Sequence, residues 1–164
     1  MSKVNSPVQA APATKGGKSE LLTFKAKLGW RKRVWRSIEI PDHLTLEDLS
    51  NAIHRAFGLS VDEHLHAFYL SGKTLDRKSE YIDPRVEDDL VPRTSDTTLK
   101  SLRLQPRQKF LFLYDFGDSL KFEVELITVI DQDPTDKNSY PRIVKTNGEW
   151  VYDEDPEYED DEED

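Results

Sequence analysis

The sequence contains no cysteine. That excludes a disulfide framework, a thiolate zinc site and a cysteine nucleophile. It fits a reducing compartment, read here as the cytoplasm. No run of about 18 apolar residues occurs, so no membrane span is expected. Met1 to Ala13 includes Lys3 but no apolar stretch, so no secretory signal is expected. There is no Gly-rich phosphate cradle, and Ser71 and Ser119 lack the strand–turn–helix setting of a nucleophile elbow.

Charge is unevenly distributed. The net charge is -9, from 23 Lys+Arg and 32 Asp+Glu. Ten of the twelve residues from Asp153 to Asp164 are acidic and none is basic. Setting these ten aside leaves 22 acids against 23 bases, so residues 1–152 carry a charge of +1. The body is near neutral and the acidity is an appendage. The overall sign therefore says nothing about whether the body repels nucleic acid.

Patterning divides the chain into a disordered leader over 1–20, a domain over 21–150 and a disordered acidic tail over 151–164. Leu22, Phe24, Ala26 and Leu28 alternate with polar residues, which predicts a half-buried strand. A turn at Gly29-Trp30-Arg31 and a strand through Val34, Trp35, Ile38 and Ile40 complete a hairpin, ended by Pro41. Thr45 is a natural helix cap. Leu46, Leu49, Ala52, Ile53, Ala56 and Phe57 form one helical stripe, and Gly58 is a stop. Strands are expected over 65–70, 109–114 and 120–126, the last two joined by a turn at Asp115-Phe116-Gly117-Asp118. Residues 73–100 read as a long loop with a short strand near Tyr81 and a helical turn near Thr98. The expected fold is α+β: a mixed, mostly antiparallel sheet with one main helix packed on one face, β-grasp-like.

Several blocks together carry a resemblance. Val34-Trp35-Arg36, Ile40-Pro41, Thr45-Leu46-Glu47-Asp48-Leu49, Ala56-Phe57-Gly58, His64-Leu65-His66-Ala67-Phe68 and Tyr114-Asp115-Phe116-Gly117-Asp118-Ser119 occur in this order. The chain resembles the plasmid ORF-three-like family, first named from a root-inducing plasmid, from residue 21 to Arg142. Tyr140-Pro141-Arg142 is similar to its closing segment. The resemblance implies an α+β domain, plasmid or mobile-element associated, with no activity attached. Relatives usually carry His where this chain has Ser50 and Trp where it has Leu59. They also have a Trp and then a His at Leu120 and Phe122, and a Pro-Pro-Glu-Asp segment that is missing here. If the family runs chemistry on those histidines, this chain lacks two of them.

Three sets of residues invite a functional reading. Lys25, Lys27, Arg31, Lys32, Arg33 and Arg36 put six bases in twelve residues, interleaved with Trp30 and Trp35. Trp30, Arg31, Arg33, Trp35 and Arg36 are thus candidates for gripping phosphate and stacking bases, or for contacting a protein. His64 and His66 are spaced to point the same way on a strand. With Asp115 and Asp118 they are candidate ligands for a divalent metal, with His54 as a helper. The plainer reading of the two aspartates is that they cap their own turn. Asp115-Phe116-Gly117 echoes the kinase magnesium motif, but no Gly-rich loop or His-Arg-Asp sequence accompanies it. The tail, with Tyr152 and Tyr158 read as exposed, is expected to solubilise, to meet a basic partner, or to fold back on the hairpin.

The reading that follows is a non-catalytic binding module for nucleic acid or protein, acting through the basic-aromatic hairpin with no resident cofactor. The alternatives are a metal-dependent hydrolase on the His/Asp set and a self-associating scaffold. A monomer or weak dimer is expected.

Overall fold

The computed structural model describes residues 19–152. The expected leader and acidic tail, apart from their inner ends, lie outside the described residues. The elements are β1 (Glu20–Leu28), β2 (Arg31–Pro41), α1 (Leu46–Phe57), β3 (His66–Tyr69), β4 (Glu80–Ile82), β5 (Lys109–Tyr114), β6 (Leu120–Asp131) and β7 (Arg142–Asn147). The strands form one sheet in the order β4-β3-β5-β6-β1-β2-β7. Every ladder between these strands is antiparallel. The expected mixed character is reduced to one isolated parallel bridge between Ile82 and Arg93. The β-grasp likeness that leaned on it receives no support from this topology.

Period-two patterning gives the sheet a heavily buried face. Leu22, Phe24, Ala26 and Leu28 of β1, Phe110, Phe112 and Tyr114 of β5, and Leu120, Phe122, Val124 and Leu126 of β6 join one core. The stripe Leu46, Leu49, Ala52, Ile53 and Phe57 of α1 closes over it. Each such large side chain contributes about 1.5–3 kcal/mol on burial. The opposite face is covered only at the β3–β5 end. There Ala67, Tyr69, Ile82 and Leu113 pack with Val91 of the long loop.

The backbone groups at both ends of α1 are accounted for. At the start, Asp48 N–H donates to Thr45 Oγ1 at 3.1 Å and Thr45 N–H donates to Asp48 Oδ2 at 2.8 Å, a reciprocal cap. Leu46 N–H donates to the Thr97 carbonyl at 2.9 Å. At the end, Gly58 adopts φ 68°, a left-handed value that glycine takes without strain. The following Leu59 N–H donates to the His54 carbonyl at 2.8 Å.

β7 is absent from the sequence expectations. All six of its residues are exposed, so it has no alternation to read. It is held through its ladder with β2 and forms one edge of the sheet.

Candidate functional site

The hairpin residues divide between surface and core. Trp30, in the tight turn between β1 and β2, is 62% exposed and meets Trp150 edge to face with ring centroids 6.4 Å apart. Arg31 and Arg33 are exposed at the start of β2. Trp35 is half-buried on the outward face, with Lys25 Nζ 4.1 Å above its ring, a cation–π contact. Arg36, expected on the binding surface, points inward and is 7% exposed. Its Nε donates to the Ala56 carbonyl at 3.1 Å, and Nη1 donates to the carbonyls of Trp35, Asn147 and Gly148 at 2.9, 3.0 and 3.0 Å. Arg36 thus ties the end of α1 to the end of β7 and is taken out of the surface set. Burial lowers its pKa from the ordinary arginine value.

Next to Trp30 the outward sheet face carries a groove of about 550 Å³. Trp30, Lys32, Lys109, Leu111, Lys121 and Glu123 line it. The antiparallel register puts them there: Leu111 pairs with Glu123, and Lys109 with Glu125, all on the outward side. Glu123 is already matched, with Lys32 Nζ at 3.6 Å and Lys27 Nζ at 3.9 Å. Lys109 and Lys121 have no carboxylate within ion-pair distance among the described residues. The groove is therefore net positive, with an exposed indole at one end. Its close floor depends on Gly29, whose N–H donates to the Lys121 carbonyl at 2.8 Å. A Cβ at that position would sit 2.8 Å from the same oxygen.

The expected metal set does not assemble. β3 begins at His66, so His64 lies off the strand and the shared direction of the two rings is lost. His64 Nδ1 is 3.4 Å from Asp115 Oδ2. His66 lies elsewhere, fully buried, with Nε2 donating to Glu47 Oε1 at 2.8 Å. Its Nδ1 is 3.1 Å from Asp83 Oδ2, close but not aligned as a hydrogen bond. Asp118 is exposed, and only its backbone N–H joins the corner, donating to Asp115 Oδ1 at 3.2 Å. Among the described residues no group of three or more His, Asp or Glu side chains is arranged to hold a metal ion.

What the histidines and acids build instead is a buried polar seam between α1, β3 and the long loop. Glu47 Oε1 accepts from His66 and from Thr94 Oγ1, the latter at 2.6 Å. Burial pushes the Glu47 pKa up, but those hydrogen bonds outweigh it and the carboxyl ends below its ordinary value. Asp83 behaves alike: burial opposes ionisation, and hydrogen bonds from Arg85 overcome it. The His54 ring meets those of His66 and Tyr114 edge to face, with centroids 5.2 and 5.3 Å away. Its Nδ1 donates to the Ser50 carbonyl at 2.6 Å, which places the proton there. Nε2 is buried with no hydrogen-bond partner among the described residues. Burial lowers the His54 pKa to about 4.

Asp115 organises the β5–β6 corner in the capping role read from its turn. It adopts φ 66°, and Oδ1 accepts from Gly117 N–H at 3.1 Å. Its Oδ2 accepts from Tyr152 at 3.2 Å. Tyr152, expected to be exposed, is instead packed beside Tyr114, His64 and Trp150. Burial and the Asp115 charge raise its phenol above the ordinary value. Tyr158 lies outside the described residues. Glu47, Asp83, Thr94, Lys109 and Lys121 were not singled out as site residues. Their roles depend on partners far away in sequence, and only the outward parity of the two lysines was available as a signal.

Among the described residues no helix is long and apolar enough to cross a membrane. The model of the plasmid pRiA4b ORF-3-like protein family matches residues 21–156. No curated protein matches the chain. A crystal structure of a protein of unknown function, MM3350, from Methanosarcina mazei Go1 is similar in fold. Its TM-score is 0.62 at 22% identity, covering 79% of this chain and 70% of that one.

Proposed function

From the premise that the chain belongs to the plasmid pRiA4b ORF-3-like family, we propose that it is a non-catalytic binding domain for single-stranded nucleic acid, seated on the Trp30 groove. The observation that carries this reading is the pairing of an exposed indole with Lys32, Lys109 and Lys121 in one groove. Bases stack on an indole whatever their identity, and lysines track the backbone phosphates. Arg31 and Arg33 extend the cationic surface beyond the turn. A protein partner is less favoured, because a specific protein interface needs a larger desolvated apolar centre than Trp30 and Leu111 supply.

Anisotropy of a short labelled oligothymidylate at low ionic strength tests this. Trp30→Ala is expected to cost about 1–3 kcal/mol of binding. The Lys109→Ala/Lys121→Ala pair is expected to weaken binding and to reduce the salt slope by about 0.7 per lost phosphate contact. Affinity and salt slope unchanged in both variants would overturn the reading. Tighter capture of an acidic polypeptide than of the oligonucleotide would reassign the groove to a protein partner.

A further inference from the structure

We infer that the chain's own acidic segment, Asp153–Asp164, docks in the Trp30 groove and competes with an anionic ligand for it. The inference shares its site and the groove lysines with the nucleic-acid reading, and adds the place where the described chain ends.

The first is where the described chain ends. Trp150 lies against Phe57, Phe122 and Trp30, and Tyr152 donates to Asp115. The segment leaves the body from a packed root, beside the turn that carries Trp30. The second is the path. Asp115 and Ser119 bound the β5–β6 turn; Asp115 holds Tyr152, and Ser119 lines the groove. The β1–β2 turn is at the same end of the sheet, joined there by the hydrogen bond from Gly29 to Lys121. One short turn thus separates root from groove, while twelve residues reach up to about 40 Å when extended.

The third is charge. Ten of those twelve residues are acidic, and the groove presents Lys32, Lys109 and Lys121 against Glu123, which Lys27 and Lys32 already offset. Opposite charges held at short reach associate at a high effective concentration, near millimolar for a short flexible linker. A contact of that strength forms at low salt and opens as salt rises.

The absence of cysteine makes the test clean. A nitroxide on Asp160→Cys is compared in two full-length chains, one with its native tail and one with the remaining tail acids changed to Asn and Gln. The reach is the same and only the charge differs. The native tail is expected to broaden the Trp30 indole and the Leu111 and Glu123 amides on the outward face, and salt is expected to relieve it. The neutral tail is expected to leave them sharp. Equal broadening in both chains, or none in either, overturns the inference. Broadening seen only between spin-labelled and isotope-labelled chains in a mixture would assign the contact to a second copy and overturn the intramolecular form. The neutral-tail chain is also expected to bind oligothymidylate about tenfold more tightly at low salt. If the broadening difference holds but neither chain binds the oligonucleotide, the nucleic-acid reading falls and the tail contact stands.

Discussion

His66 of β3 reaches Glu47 in the first turn of α1, Nε2 to Oε1 at 2.8 Å, and so fastens the helix to the sheet from inside the core. The contact explains why this histidine is fully buried and why it is not grouped with His64. It is a strut between two elements, with Asp83 on the far side of the ring.

Replacing His66 by Leu is therefore expected to remove a hydrogen bond from the half-buried Glu47 carboxylate, while Asp83 keeps Arg85. The cost at neutral pH is on the order of 2 kcal/mol, the scale for losing a hydrogen bond to a charged group. Both carboxyls have pKa values lowered in the fold, so the stability they contribute is present above their unfolded values and lost as pH falls. The variant's deficit should accordingly shrink only below the ordinary carboxylate range, toward about pH 3. Urea midpoints at the two pH values check this; an unaltered midpoint at pH 7 would remove the strut role.

His54 gives a separate pH signature. Its pKa is lowered from 6.5 to about 4, first by burial and also by the nearby His66 ring, against the opposing pull of Glu47 and Asp83. Between those values the unfolded chain binds a proton that the folded chain does not. Stability should fall as pH drops from about 6.5 to 4 and then stop responding to this group, for a total of roughly 3 kcal/mol. His54→Gln should flatten that part of the stability profile. A slope unchanged by the substitution would assign it to other groups.

Arg36 holds carbonyls from three places in the chain. Arg36→Met keeps an unbranched apolar chain but loses the guanidinium over Phe57 and its hydrogen bonds to the Ala56, Asn147 and Gly148 carbonyls. A loss of about 2–4 kcal/mol is expected. Arg36→Lys should recover only part of it, because one ammonium does not span the fork. Hydrogen exchange should show the β7 amides losing protection first. Equal protection in both variants and the parent would show that β7 is held by its ladder alone.

Asp115 combines a left-handed backbone with three acceptor contacts. Asp115→Asn tolerates the backbone and keeps an acceptor for Gly117 and Asp118, so a cost near 1 kcal/mol is expected. Asp115→Ala loses both features and should cost about 2–3 kcal/mol. Thermal unfolding of the pair checks the order, and equal losses would deny the capping role of the carboxylate.

Much of the fold was legible because its determinants are local. Thr45, the stripe from Leu46 to Phe57 and Gly58 specify a helix within fourteen residues, and the helix has those bounds. β1 and β6 announce themselves by alternation, and β5 by a dense aromatic-aliphatic run. β7 does not, since it presents no buried row. Arg36 could have been placed by parity, because it shares the inward side of β2 with Val34, Ile38 and Ile40. The site was less legible for a different reason. Glu47 meets Thr94 across a separation of 47 positions, and the groove joins Lys32 to Lys109 and Lys121. No spacing rule spans such distances; they are created by strand order and register.

The β1–β6 ladder sets a timetable for synthesis. Lys27 of β1 and Glu125 of β6, whose side chain it donates to across the ladder, are 98 positions apart. At about 5–20 residues per second, the first strand waits on the order of 5–20 s for the neighbour that completes its backbone pairing. During that interval the row Leu22, Phe24, Ala26 and Leu28 has only the hairpin and the helix to shelter it. Nascent chains halted before Leu120 would present an open, apolar strand edge, making them natural clients for chaperones and prone to stick to one another.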